Sequence, residues 1–241
     1  MGENLSEIYD QAVMNDPQLG AAKAQYMSRG EIVNQARAGI LPYVSVAGST
    51  SDEYRKTPVV PGTIPVENFN NHGWQAVLSQ PVFRLDRWYQ FQQSKNIAAQ
   101  AMAQFASDQQ DLIVRVATSY LNILERQDAL SASNAEREAV ARQLEQVQQR
   151  FDVGLVAITD VLESTAAFDS STVNVIEAEG AQSVSFEPLL RLTGESINSV
   201  LALSSEFPVK APDPMDENAW VQRGLEHNFS LVAAKEVVKA A

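Results

Sequence analysis

Bond-making chemistry has few candidates in this chain. The two histidines, His72 and His227, stand far apart, and neither has a ligand set near it in the sequence. Cysteine is absent, which removes disulfides, thiolate metal sites, a sulfur nucleophile and a lipidated cysteine together. With 30 acidic residues, carboxylates three or four apart in helical tracts are expected by chance. Neither a GxGxxG nor a P-loop glycine pattern occurs. No enzyme activity, metal or cofactor is therefore expected. The residues whose types and spacing do suggest a task lie in RFDVGLVAITDVLES, 150–164, and their chemistry is that of contact. Arg150 offers a fork of donors to a partner's carbonyls or carboxylates. Val153, Leu155 and Val156 offer apolar area. Gly154 lets the backbone turn and be approached closely. Thr159 and Asp160 have the short polar side chains that cap a helix, and Asp160 with Glu163 has capping-box spacing. An apolar tip either staples its two flanking helices or awaits a partner, and the residues alone leave both open.

The elements that must position this motif are long. From Val82 to Val153, about 70 residues, there is neither Gly nor Pro, and Ala, Gln, Leu, Glu and Arg dominate. Apolar residues recur at threes and fours, among them Leu112, Val116, Tyr120, Ile123, Leu130, Val140, Leu144, Val147 and Phe151. Such a helix is on the order of 100 Å long, which implies a coiled-coil-like or bundle architecture. After a tip at 152–159 a return helix runs to about Leu192, where Thr193-Gly194 stops it. Gly180 and Pro188 interrupt its pattern, and Pro188 is expected to kink its last turns.

Upstream, residues 1–42 read as two helices with a turn at NDPQ (15–18), where Asn15 or Asp16 is the expected N-cap. Residues 43–81 alternate as two strands. Tyr43, Val44 and Val46 belong to the first, and Trp74, Ala76 and Leu78 to the second. The polar stretch 52–72 reads as the loop between them. Gln80-Pro81 reads as a hinge into the long helix. Residues 194–217 read as an irregular linker. HNFSLVAAK (227–235) then aligns with NDPQLGAAK (15–23), placing Leu231 over Leu19 and Trp220-Val221 over Ile8-Tyr9. Residues 218–241 therefore read as the start of a second repeat.

The formal net charge is −12, with no basic cluster, so nucleic acid is not an expected partner. No apolar run approaches the roughly 18 residues of a spanning helix. The start, MGENLSEIYDQA, shows neither a basic end nor an apolar stretch, so no signal peptide is visible. β-barrel strands leave much weaker signals than either and remain open.

Helix, strand, loop, strand, very long helix, tip and return helix is an unusual order. With ILP (40–42), LSQPVFRLDRW (78–88), RFDVGLVAITDV (150–161) and LTGE (192–195), the chain resembles the TolC family of outer-membrane efflux and secretion channels. The resemblance implies a mainly α fold with a small β part: a long antiparallel helical hairpin in an α-barrel wall, plus two antiparallel strands of a trimeric outer-membrane β-barrel. It implies a homotrimer embedded in outer-membrane lipid, spanning into the periplasm. It also implies a periplasmic adaptor (membrane fusion protein) docked at Arg150, Val153, Gly154, Leu155 and Val156, with an inner-membrane pump or ABC transporter reached through it. Thr159 and Asp160 would then help hold the periplasmic entrance shut, and residues 194–217 would lie in the equatorial region. Tyr43, Trp74 and Trp88 would be either interface aromatics or ordinary packing at the strand–helix junction. The other reading is a soluble coiled-coil interaction or adaptor module, which has no reason to carry the alternating segments.

Overall fold

The computed structural model describes residues 2–56, 66–204 and 210–241. Its first helices are α1 (Leu5–Asn15) and α2 (Pro17–Ala38). Asn4 starts α1 with a reciprocal cap: its side chain accepts from the Glu7 amide at 2.9 Å, and the Glu7 carboxylate accepts from the Asn4 amide at 2.9 Å. Asp16 alone separates the two helices, and it, not Asn15, caps α2. Its carboxylate accepts from the amides of Leu19 at 3.1 Å and Gln18 at 3.4 Å.

Two strands follow, β1 (Tyr43–Lys56) and β2 (Val66–Ser79), paired antiparallel from Tyr43 opposite Ser79 to Lys56 opposite Val66. The expected loop at 52–72 is thus mostly strand, and its residues 57–65 lie outside the described residues. The polar composition misled because both faces of the outer half are polar. Asn70 lies opposite Asp52 and donates to it at 2.7 Å and to Thr50 at 3.1 Å, so polar side chains tie the strands together. The register puts Val44, Val46 and Gly48 on one face with Leu78, Ala76 and Trp74. Tyr43 belongs to the opposite face, beside Ser79 and near Ser45 and Val77, and is not part of that apolar band.

The long helix is α3 (Leu85–Asp152), 68 residues. It begins just past Gln80-Pro81, where the Gln80 amide donates to the carbonyls of Ile40 and Pro81. Arg84 then forks onto Asp86 at 2.9 and 2.8 Å, which lowers the exposed Asp86 carboxyl to about 2. The return is α4 (Ile158–Ser185) followed by α5 (Glu187–Thr193). Gly180 does not interrupt α4. The break comes at Phe186, so Pro188 falls in the first turn of α5, where its missing amide hydrogen costs nothing. Gly194, at φ +73°, ends α5 in the left-handed conformation that glycine adopts most easily.

The chain forms two compact units, Met1–Tyr26 with Met102–Val232, and Met27–Ala101 with Ala233–Ala241. The first holds the main core. A stripe of α3 (Leu112, Val116, Tyr120, Ile123 and Leu124) is buried against Ile8 and Ala12 of α1, Leu19 of α2, and Leu189 and Leu192 of α5. Ile197 and Val200 are buried there too, so the expected linker at 194–217 is partly core. Its backbone pairs with the N-terminal segment: the Glu3 amide donates to Ser199 O at 3.1 Å and the Leu201 amide to Glu3 O at 3.0 Å. Toward the tip the protected α3 positions recur in heptad fashion through Leu130, Arg137, Val140, Leu144, Val147 and Phe151. On α4 the matching seam runs Val161, Phe168, Ser171, Val175 and Ser185. Small hydroxyls in this seam are satisfied by their own helix. Ser171 donates to Phe168 O at 2.7 Å and Ser185 to Gln182 O at 2.6 Å.

The last helices are α6 (Glu217–His227) and α7 (Phe229–Ala240). They repeat α1 and α2 in detail. Asp216 caps α6 as Asn4 caps α1, and Asn228 accepts from the Leu231 amide at 3.0 Å as Asp16 accepts from Leu19.

Candidate functional site at the hairpin tip

The tip is narrower than 152–159: residues Val153 to Ala157 join α3 to α4. Helix α3 ends with a double hydrogen bond. The Gly154 amide donates to Phe151 O and the Leu155 amide to Arg150 O, both at 2.8 Å. This closure needs a left-handed residue at its centre, and Gly154 stands at φ +77°. In such closures the apolar residue after the glycine usually folds back onto the helix residue five before it. Here that residue is Arg150, so Leu155 finds no apolar seat on the helix end and is 69% exposed. Val153 is equally open. Arg150 is exposed, and among the described residues it has no ion-pair partner. Behind it an open groove of about 470 Å³ runs down α3, lined by Arg142, Gln146 and Val147 among others.

Of the candidate docking residues, Arg150, Val153, Gly154 and Leu155 are exposed together, whereas Val156 is half-buried. That partial burial sets Val156 apart from the four exposed residues of the tip. Ile158 and Leu162, 51% and 62% exposed, extend the apolar surface along α4. Neither was singled out from the sequence, although their spacing of four puts them on one helical face.

Thr159 and Asp160 are not the N-cap of α4. That position is Ala157, with extended backbone at φ −82° and ψ 158° and no side-chain cap. The tight closure after Gly154 leaves only three residues before the helix starts, so it starts ahead of the better capping side chains. Asp160 becomes the third helical residue, and its carboxylate accepts from the Ala157 amide at 3.2 Å, half of a capping box. Asp160→Ala is expected to cost about 0.5–1 kcal/mol, from a lost first-turn acceptor and a lost charge at the helix dipole. Thr159→Ala should stay within about 0.5 kcal/mol. Thermal melts of the two variants separate these values.

In the second unit the strand pair offers a different surface. Val44, Val46, Trp74 and Leu78 are 62–81% exposed on one face, and Ala76 lies among them. Both strands have one unpaired edge within the described residues. Among the described residues no helix is long and apolar enough to cross a membrane.

Residues 8–195 match the family described as outer membrane efflux protein. The chain belongs to that family. The outer membrane protein TolC of Vibrio cholerae is 35% identical over 97% of this chain, and TolC of Escherichia coli 33% over 97%. The alkaline protease secretion protein AprF of Pseudomonas aeruginosa is 26% identical over 98% of the chain. The chain spans about half the length of these relatives, 52%, 46% and 50% respectively. The fold agrees with the CmeC outer membrane channel of Campylobacter jejuni at a TM-score of 0.80, with 17% identity, over 98% of this chain and 51% of that one. The strand pair, the hairpin and the shorter helices of this chain thus match about half of that channel chain.

Proposed function

We propose that this chain supplies one strand pair and one hairpin of the wall to a homotrimeric outer-membrane channel. The channel is a passive conduit for export of drugs or proteins in a tripartite efflux or type I secretion system. Its hairpin tip docks a periplasmic adaptor that links it to an inner-membrane pump or ABC transporter. The observation that carries this reading is the strand pair: a two-stranded sheet with an apolar band open on one face, followed in sequence by a 68-residue helix. A soluble coiled-coil module has no use for such a sheet, since isolated strand pairs are marginal in water. A closed barrel in lipid satisfies both its edges and its apolar band.

The test is to export the chain behind a signal peptide and fractionate the envelope. The chain is expected in the outer-membrane fraction, resistant to alkaline wash. Val46→Arg, which places a charge in the apolar band, is expected to shift it to the soluble fraction, since such a charge costs about 2–4 kcal/mol at mid-bilayer. Purely soluble, monomeric behaviour of a full two-repeat version would favour the coiled-coil module instead. Thr159 and Asp160, exposed at the first turn of α4, are proposed to help hold the entrance closed. In a two-repeat protein Asp160→Ala should then raise single-channel conductance, and an unchanged conductance limits Asp160 to its helix-start role.

A further inference from the structure

The apolar band of the strand pair is too short to meet a bilayer alone. It begins at Val44 opposite Leu78 and ends at Gly48 opposite Trp74. The next pairs on that face, Thr50 with His72 and Asp52 with Asn70, are polar. From Val44 to Gly48 is about 14 Å along the strand, whereas a barrel in lipid shows an apolar band about 25 Å tall. The chain continues the band past Ser79. Val82 and Phe83 are 93% and 84% exposed, and Leu85, Trp88 and Tyr89 are exposed after them. So many large apolar side chains open together mark a surface of contact. The charge changes at the same place. From 68 to 101 the chain has one acidic residue, Asp86, against Arg84, Arg87 and Lys95, in a protein of net charge −12. Asp86 is taken by Arg84 at 2.8 Å and lies 3.9 Å from Arg87. Trp88, Phe91 and Lys95, spaced by three and four, share one face of α3. The Trp88 and Phe91 rings are 6.2 Å apart, and Lys95 Nζ stands 4.4 Å over the Phe91 ring. Lys95 pairs with no carboxylate among the described residues.

We propose that this strand–helix junction binds the headgroup layer of the membrane and selects anionic phospholipid there, through Arg87 and Lys95. The inference rests on the reading that the strand pair sits in a membrane, and it names the lipid that the pair's helical end takes. What favours lipid as the occupant is the order of side chains along the chain. The apolar band comes first, then Val82 and Phe83, then Trp88 and Tyr89, then the free cation of Lys95. Hydrocarbon, glycerol region and phosphate are met in that order across one leaflet. The long stem of Lys95 runs along an aromatic ring and ends in a charge, as cations do at such a boundary. The acidity of the rest of the chain does not prevent this, because charges more than about 8 Å away are largely screened at physiological salt. The local balance, three cations to one carboxylate, decides.

Flotation of the full chain with vesicles tests the selection. Vesicles of phosphatidylcholine alone are set beside vesicles in which about a third of the lipid is phosphatidylglycerol. The anionic vesicles are expected to bind at least about tenfold more tightly at physiological salt, and the preference should vanish near about 1 M salt. Arg87→Gln and Lys95→Gln should each lower affinity for the anionic vesicles about threefold or more. Together they should remove the preference while leaving binding to the neutral vesicles unchanged. Phe83→Ala with Trp88→Ala should instead weaken binding to both kinds alike. Equal binding to the two kinds of vesicle overturns the proposal. So does a preference that survives the double substitution of Arg87 and Lys95. Neither result touches the membrane reading of the strand pair, which stands if Val46→Arg lowers binding to neutral vesicles. A chain that binds neither kind of vesicle overturns both.

Discussion

Asp16→Ala is expected to destabilise the first unit by about 2–4 kcal/mol, the largest loss from any single polar substitution here. Two separate losses add. The first is the N-cap of α2, about 1 kcal/mol, because the carboxylate accepts from Leu19 and Gln18. The second is an ion pair between elements far apart in sequence. Arg115 of α3 donates to Asp16 at 2.7 Å, with the Asp16 side chain only 3% exposed and that of Arg115 26%. Losing a charged hydrogen-bond partner at a largely buried site costs about 1.5–3 kcal/mol, and the partial exposure of Arg115 favours the lower end. Arg115 keeps its second partner, Asp111 at 2.9 Å, so it is not stranded. Asp16→Asn separates the two losses, because an amide oxygen still caps. The repeat shows this directly, with Asn228 capping α7 in the equivalent place. The asparagine variant should therefore lie about 1 kcal/mol above the alanine variant in denaturant unfolding.

The same pair carries a pH dependence whose sign follows from its partners. Burial raises the Asp16 carboxyl, but the Arg115 hydrogen bond and charge, with the two helix amides, outweigh it and hold the group below its ordinary 3.8. A carboxyl lowered in the folded state adds stability that is present in full above the unfolded value. That stability drains away as pH falls through the folded one. The gap between the native chain and Asp16→Ala should thus be constant at neutral pH and shrink below about pH 4. A gap that widened in acid would show that the cap and pair are not what holds α2.

How much of this was legible in the sequence depends on the range of the interaction. The long hairpin was legible because the absence of Gly and Pro and the three-four spacing are local signals. The closure at Gly154 was legible because one residue supplies the needed backbone conformation. The repeat was legible to the residue: its alignment placed Asn228 over Asp16, and the two side chains cap alike. The outer half of the strands was not, because its pairing rests on cross-strand partners such as Asn70 and Asp52, eighteen residues apart. Propensity alone reads those residues as loop. The start of α4 was misplaced because capping chemistry at Thr159 and Asp160 was outweighed by the geometry of a closure ending three residues earlier. The Asp16–Arg115 pair spans 99 residues, and nothing local announces it.

If the tip docks an adaptor as proposed, Leu155→Asp is expected to weaken that docking about thirtyfold or more, the roughly 2 kcal/mol that marks a central apolar contact. It should leave hairpin stability within about 0.5 kcal/mol, because Leu155 is exposed and has no apolar seat on its own helix. Val156→Ala should do the reverse. Its side chain is half-buried, so its loss should cost stability, about 1 kcal/mol, and affect docking little. Gly154→Ala tests the backbone: φ +77° is unfavourable for any residue with a Cβ, so about 1 kcal/mol of hairpin stability should go even though nothing crowds the site. The paired readout is binding of the proposed periplasmic adaptor to the full chain, set beside thermal unfolding of each variant. Stapling and docking give opposite patterns. If Leu155→Asp melts the hairpin while Val156→Ala abolishes binding, the apolar tip is a staple and the partner binds elsewhere. If the exposed pair Val153 and Leu155 carries affinity and Val156 carries stability, one five-residue turn holds both tasks, divided by which side chains the Gly154 closure turns outward.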